Sequence, residues 1–256
     1  MNIFISVVSH GHGNLIKNID CLPDLARDFN VIVKCNIKSD ICELYDYAKQ
    51  NNLHLLSKSL NLGFGDNNNY NFQYSVDELG LSGDDYFIVL NPDVHITSEA
   101  ILKLTNEMCE GNISFAAINL YKDHGKTMFD YSIRRFPSLL NFISSYFFKN
   151  NNTIYDKSNI HTNKKIDWAA GSFLAFKASH YQRLGGFSDD YFMYCEDIDI
   201  CYRSHLLDVP VVYFPGIKAT HYAKHANRSI FSKHFIWHVT SIVKFLIFKN
   251  KNKLVV

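Results

Sequence analysis

What this sequence lacks narrows it before any motif is read. Its 26 Lys and Arg stand against 25 Asp and Glu, a net charge of +1, so it has no basic excess of the kind that draws nucleic acid, and none is expected as a partner. No apolar run reaches the roughly 18 residues that span a bilayer. Its six cysteines form no CxxC pair, which leaves reduced thiols in a cytoplasmic protein as the simplest reading. The apolar start at Met1–Ser9 has no basic n-region and runs into His10-Gly11-His12-Gly13, so it reads as a strand and not as a secretion leader. The loop from Asn61 to Asn69 is neither GxGxxG nor followed by GK[ST], so it is no dinucleotide fingerprint or P-loop. His221 and His225 are four apart, but no Glu follows His221, which argues against an HExxH zinc hydrolase. No internal repeat is visible.

What is present is an ordinary globular composition, 47% hydrophobic and 20% charged over 256 residues, enough for a sizeable core. Apolar runs at Asn2–Ser9, Asn30–Cys35, Leu53–Leu56, Tyr86–Leu90 and Ile113–Leu120 read as strands. Between them, helices are expected from Asn14 to about Arg27, from Asp40 to Asn51, from about Asp66, and from Ser98 to about Glu110. Strands alternating with helices predict a doubly wound, mostly parallel α/β sheet. Beyond Leu120 the pattern breaks. Residues 121–165 read as loop and irregular helix, Trp168–Phe176 as one strand with a Gly inside, Glu196–Leu207 as a helix, Val211–Phe214 and Ile217–His221 as two short strands, and Phe231–Phe248 as a last helix.

The stretch Tyr86–Val94 organises the rest. Pro92 ends the strand and leaves Asp93 at its carboxyl end, the edge at which open α/β sheets bind ligands. A carboxylate there can hold a divalent cation and, through it, a diphosphate. Asn91-Pro92-Asp93 is also good turn chemistry. The second acidic cluster, Glu196-Asp197 with Asp199, opens a helix. Acids favour a helix N-terminus, and Asp199 stands four before Arg203 as an ordinary ion pair. Alternatively, one of these carboxylates is a general base in a partly desolvated pocket.

Taken in order, Asn61-Leu-Gly-Phe-Gly65, Asn91-Pro-Asp93, Asp130-Tyr-Ser-Ile-Arg-Arg-Phe-Pro137, Asp167-Trp-Ala-Ala-Gly-Ser-Phe173, Gly185-Gly-Phe187, Tyr191-Phe-Met-Tyr-Cys-Glu-Asp-Ile-Asp199 and His221–Ser229 resemble the inverting glycosyltransferase family 2, which has the GT-A fold. They resemble most its bacterial dTDP-rhamnosyltransferases of O-antigen assembly. The resemblance implies transfer of L-rhamnose from dTDP-rhamnose to a polyprenyl-diphosphate-linked GlcNAc, with Mg²⁺ or Mn²⁺ as cofactor. It places Asp93 on the metal, with Asn91 where the family has its first acid, Asp197 as the base, and His221 completing the metal or diphosphate site. Ser9 and His10 then lie where the nucleotide docks. Cys35-Asn36 stands in place of the family's Asp-Asn pair that contacts the base. Gly63, Phe64 and Gly65 flank the nucleotide sugar.

Arg134, Arg135 and Arg228 are candidates for the diphosphate, since guanidinium binds it bidentately, or are solvated surface residues. Trp168, Gly171 and Glu196 belong to the acceptor side, and Trp168 with the aromatics of Tyr191–Tyr194 stacks on a sugar or packs the core. The organisation expected is a transferase domain over residues 1–230, with a nucleotide-sugar half (1–120) and an acceptor half (121–230), followed by a basic amphipathic helix and tail over 231–256. That helix, with Lys233, Lys244, Lys249, Lys251 and Lys253, is expected to lie on the inner face of the cytoplasmic membrane; the other reading packs it on the domain. A UDP-hexose donor and a non-catalytic nucleotide-binding assembly protein are the alternatives.

Overall fold

The computed structural model describes residues 1–138, 153–223 and 233–253, with the side chains of 233–235 and 253 left aside. The chain opens with β1 (Ile3–Ser9), α1 (Gly13–Ile19), α2 (Leu22–Leu25), β2 (Asn30–Cys35), α3 (Lys38–Gln50) and β3 (His54–Leu56). It continues with α4 (Phe64–Leu79), β4 (Tyr86–Leu90), β5 (Val94–His95), α5 (Ser98–Glu110), β6 (Phe115–Tyr121) and β7 (Ile133–Arg134). The later part has β8 (Lys164–Ile166), β9 (Trp168–Ala169), β10 (Phe173–Lys177), α6 (Ala178–Arg183), α7 (Glu196–Leu206), β11 (Val211–His221) and α8 (Lys233–Lys253).

The central sheet runs β3-β2-β1-β4-β10-β6-β11-β5, with β8 added on β11, and β7 pairs with β9 in a small second sheet. Strands β1, β2, β3 and β4 are parallel. β10 enters antiparallel between β4 and β6, and β6 and β11 are parallel to each other. Strands β1, β2, β3, β4, β6 and β11 therefore point one way, while β5, β8 and β10 oppose them. The sheet is mostly parallel, as expected, with one reversed strand in its middle.

One face of the sheet packs Ile16, Leu44, Ala48, Ile101, Leu104 and Met108 from α1, α3 and α5. The other packs Phe72, Tyr181, Ile198, Cys201, Tyr202 and Phe245 from α4, α6, α7 and α8. Being covered on both faces, β4 is buried along its whole length, which is why its sequence is continuous and apolar rather than alternating.

Several expected elements differ in detail. The helix expected to run from Asn14 to Arg27 is broken: Asp20, at φ 50°, ends α1 in the left-handed region, and Pro23 sits in the first turn of α2. The single strand expected over Trp168–Phe176 is two strands in two sheets, because the chain turns at Ala170-Gly171-Ser172. The two short strands expected after Val211 are one strand, β11, whose register shifts between Phe214 and Lys218, where Pro215 cannot donate to a ladder. Phe64 and Gly65, expected in a loop, form the first turn of α4. The short helix α6 and the short strands β5, β7 and β8 are additions to the expected elements, β7 and β8 arising in or at the end of the stretch 121–165 expected as loop and irregular helix.

Candidate active site

The carboxyl ends of β1, β2, β4, β6 and β11 share one edge of the sheet, and so does the amino end of the reversed β10. Ser9, Asn36, Asn91-Pro92-Asp93, Ser172 and His221 are thereby brought to one edge from distant parts of the chain. The Asn91 amide donates to the Ser172 carbonyl at 3.0 Å, and the Tyr222 amide to the Asp93 carbonyl at 2.9 Å. Val94 pairs with His221 in the β5–β11 ladder, which sets Asp93 beside the imidazole.

That imidazole stands between two carboxylates. Nδ1 of His221 is 2.5 Å from Oδ2 of Asp130, and Nε2 is 3.3 Å from Oδ1 of Asp93. The second approach is an ion-pair distance without hydrogen-bond alignment, so Asp93 Oδ1 is buried with no hydrogen bond. Burial disfavours a charged ring, but the Asp130 hydrogen bond and the approach and charge of Asp93 outweigh it and raise the His221 pKa to about 9. Burial likewise opposes ionisation of Asp130, yet the His221 bond and the charges of His221 and Lys157 hold its carboxyl below the ordinary value.

The same pair provides the test of a metal site. An orphaned carboxylate oxygen 3.3 Å from an imidazole nitrogen has the spacing of two neighbouring ligands on a cation with bonds of about 2.1 Å. Among the described residues no cluster of three or more His, Cys, Asp or Glu is arranged to hold a metal by itself. A carboxylate completed by diphosphate oxygens is the usual composition of a Mg²⁺ site; Asp93 fits it, and the neighbouring Nε2 of His221 fits it once a cation has displaced the proton that the two carboxylates favour on the ring.

The second acid pair opens α7. Oδ2 of Asp197 accepts from the Gly171 amide at 3.2 Å and Oδ1 from its neighbour Ile198 at 2.8 Å. Burial raises the carboxyls of both Asp197 and Glu196, and the charge of Asp197 adds to the shift of Glu196. The two amides and Arg134 pull Asp197 back part of the way. Glu196 is buried with Oε2 unpartnered. Just before them, Tyr194 and Cys195 lie at φ 70° and 68°, two successive non-glycine residues in a region L side chains rarely adopt, a form of strain that collects at functional turns. Asp199 pairs with Arg203 at 2.7 Å, and Arg203 also bonds the carbonyls of Leu184 and Gly186, so this acid is engaged in structure.

Gly63, Phe64 and Gly65 lie in close contact with later parts of the chain. A Cβ on Gly63 would collide with the Phe192 carbonyl oxygen, one on Gly65 would lie 2.7 Å from Phe187 Cβ, and one on Gly171 would lie 2.9 Å from the Phe64 ring. The start of α4 is thus wedged against the 187–192 segment and the Gly171 turn.

At the β1 end, Ser9 is buried and donates to Oδ2 of Asp40 at 2.8 Å, which also accepts the Gly11 amide at 2.8 Å. His10 is exposed. The Asn36 carboxamide is held on both sides by the backbone of Leu62, accepting at 2.9 Å and donating at 2.9 Å, and its Nδ2 also lies 3.2 Å from His10 Nδ1. Its polar atoms shape the Leu62 loop and set the His10 ring.

Arg134 lies 5.6 Å over the Trp168 ring and Arg135 4.8 Å over Tyr155. Trp168 is buried and its indole donates to the Arg135 carbonyl at 2.9 Å. Arg228, like His225, lies outside the described residues. α8 packs on the domain through Ser241, Ile242 and Phe245, while Ile236, Val243 and Ile247 are exposed. Lys244 donates to the Asp190 carbonyl and Lys249 to that of Pro137. Among the described residues no helix is long and apolar enough to cross a membrane. Sequence reasoning missed Asp40, Asp130 and Lys157. Asp130 opens a stretch already singled out, but its contact with His221 joins residues 91 apart, which no local pattern reveals.

No family model matches the chain. Among curated proteins, it is 37% identical over 261 residues to the rhamnosyltransferase WbbL of Escherichia coli K12, spanning 98% of this chain and 96% of that one. It is 27% identical over 231 residues to the N-acetylglucosaminyl-diphospho-decaprenol L-rhamnosyltransferase of Mycobacterium tuberculosis H37Rv, spanning 86% of this chain and 75% of the relative. Of solved structures, Staphylococcus aureus TarS 1–349 superposes with a TM-score of 0.56 at 12% identity over 86% of this chain, which spans 60% of that structure. A mycobacterial protein superposes with a TM-score of 0.54 at 11% identity, over 90% of this chain and 68% of its own. The sheet with its loaded carboxyl edge is GT-A-like, and with a rhamnosyltransferase relative matched almost end to end, the chain belongs to the inverting glycosyltransferases of family 2.

Proposed function

We propose that this glycosyltransferase moves L-rhamnose from dTDP-L-rhamnose to a polyprenyl-diphosphate-linked sugar, a GlcNAc, in polysaccharide assembly. The observation that carries the reading is the shared edge on which the Asp93–His221 pair and the Asp197 carboxylate converge, in a chain matched almost end to end by a rhamnosyltransferase.

In this reading Ser9, His10 and the Asn36-held Leu62 loop border the nucleotide, with Gly63, Phe64 and Gly65 beside the sugar. Asp93 and His221 would hold Mg²⁺ or Mn²⁺ at the donor diphosphate, and Asn91 shapes the turn that aims Asp93. When bound, the cation neutralises charge on the departing diphosphate. Asp197 takes the proton of the acceptor hydroxyl. The oxygen of that hydroxyl bonds the anomeric carbon as the bond from that carbon to the diphosphate oxygen breaks, and dTDP departs with the electron pair. One displacement inverts the centre, with no carboxylate nucleophile as in retaining glycosidases. Enclosure suits Asp197 to proton abstraction, because burial raises its carboxyl and a base is most effective with a pKa drawn toward working pH. In the same reading Arg134 and Arg135 remain the candidates for the diphosphate, together with Arg228, which lies outside the described residues, and Trp168, Gly171 and Glu196 support the acceptor side.

Such an acceptor would bring the enzyme to the inner face of the cytoplasmic membrane, with α8 on the lipid surface. Exposed Ile236, Val243 and Ile247 recur on one side of α8, which favours this reading although the opposite side packs on the domain. Incubation with dTDP-rhamnose, Mg²⁺ and a lipid-diphosphate-GlcNAc analogue is expected to release dTDP. A second donor, a UDP-hexose, is favoured by one observation: Cys35 stands where an acid that contacts the base is expected. Turnover with UDP-hexose and none with dTDP-rhamnose would transfer the proposal to that donor.

A further inference from the structure

Asp130 has no part in the steps above, yet it makes a short contact with one of the proposed metal ligands. Its Oδ2 lies 2.5 Å from His221 Nδ1. Held there, the ring can turn only its Nε2 toward Asp93. Asp130 is itself fixed. Its amide donates to the Leu120 carbonyl at the end of β6 at 2.9 Å. The same carbonyl accepts Nζ of Lys157 at 3.2 Å, and Nζ also donates to Ser132 Oγ at 2.9 Å. Lys157 is only 5% exposed, an unusual place for an ammonium unless it is paired. It thus ties the segments on either side of Asp130 to one strand end.

We propose that Asp130 is a positioning residue that fixes the tautomer and orientation of His221 for the cation, and that Lys157 is the buried clamp holding Asp130 in place. The inference rests on the metal reading given above. Its physical basis is general: a metal-binding imidazole donates its other N–H to a carboxylate, which orients the ring and strengthens it as a ligand. What the carboxylate must supply is a fixed acceptor atom, and an amide oxygen at the same place can supply it too.

Mn²⁺ binding, read by the electron paramagnetic resonance of free Mn²⁺ in the presence of dTDP, separates the possibilities without any turnover. The wild-type protein is expected to bind, and Asp130→Ala to bind about 10- to 100-fold more weakly. Asp130→Asn, which keeps an acceptor oxygen, is expected to stay close to wild type. Lys157→Met is expected to weaken binding less than Asp130→Ala. Should that variant fail to fold, as seen by its melting curve, Ser132→Ala removes one of the two anchors of the clamp and is expected to act in the same direction. Equal affinity of Asp130→Ala and wild type overturns the inference while leaving the metal reading intact. Asp130→Asn as weak as Asp130→Ala overturns it as well, since charge alone would then be at work. Absence of Mn²⁺ binding by the wild type overturns the metal reading, and the inference with it.

Discussion

The Gly171 amide donates to the Asp197 carboxylate at 3.2 Å, and the absence of a side chain on Gly171 is what lets the Phe64 ring pack against the same turn. The proposed base, the sugar-flanking start of α4 and, through the Ser172 carbonyl, the Asn91 turn thus meet at one pair of residues. A methyl group on Gly171 would approach the Phe64 ring to 2.9 Å, so the ring or the turn must move. Gly171→Ala is expected to lower stability by about 1–3 kcal/mol, as overpacking does, and to slow transfer more than its stability loss explains. A melting curve and initial rates at saturating donor check both effects.

Removing the base leaves the fold. Asp197→Asn is expected to reduce transfer by about 10²–10⁴-fold with donor binding retained. The same change is expected to raise the melting temperature at neutral pH, because burial makes the ionised carboxylate unfavourable in the folded protein. Initial rates, nucleotide titration and a melting curve on one preparation read all three.

The raised acids also set a pH trend. An acid whose folded pKa exceeds its unfolded value binds more protons when folded, so the stability it contributes is greatest in acid and is lost as pH rises from the ordinary carboxylate range, about 4, through the raised value. Glu196 is raised most directly by its burial. Glu196→Gln is expected to flatten the decline in stability above about pH 4, measured by denaturant titration at a series of pH values.

His180 titrates with the opposite effect. It is buried against Ser204 at 2.7 Å, and burial, aided by Arg183, pushes its pKa down to about 4. Folding therefore favours the neutral ring, and stability is lost as pH falls from the ordinary histidine value of about 6.5 through about 4. His180→Gln is expected to lose less stability between those two pH values, again by denaturant titration.

The outward side of α8 can be tested without disturbing its packing. Deleting the helix would uncover Tyr202, whose ring lies 5.7 Å from that of Phe245, so a truncation confounds folding with binding. Exchanging exposed Ile236, Val243 and Ile247 for Glu leaves Phe245 in place. Sedimentation with anionic liposomes is expected to fall sharply in this triple variant, while its melting curve stays close to wild type. Unchanged sedimentation would contradict the membrane role of α8.

Legibility in the sequence follows the range of the forces involved. β2, β4 and α5 match their expected bounds, because a buried apolar run or a polar helix start such as Ser98 is a local signal. The reversed direction of β10 was not legible, since an apolar run has no polarity and only the turn at Gly171 decides it. Asp93, Asp197 and His221 were legible as candidates through the order of their motifs. Long-range support was not: Asp40 holds Ser9 across 31 residues and Asp130 holds His221 across 91, and the Asn36 carboxamide points into the Leu62 backbone for reasons only packing reveals.

The most direct measurement follows the anomeric configuration of the product by nuclear magnetic resonance, alongside dTDP release, with dTDP-L-rhamnose, a lipid-diphosphate-GlcNAc acceptor and Mg²⁺. Inverted configuration with stoichiometric dTDP release, abolished by chelator and by Asp93→Ala and lost with Asp197→Asn, is the expected result. Retained configuration, or transfer undiminished by Asp197→Asn, would contradict single displacement driven by this base.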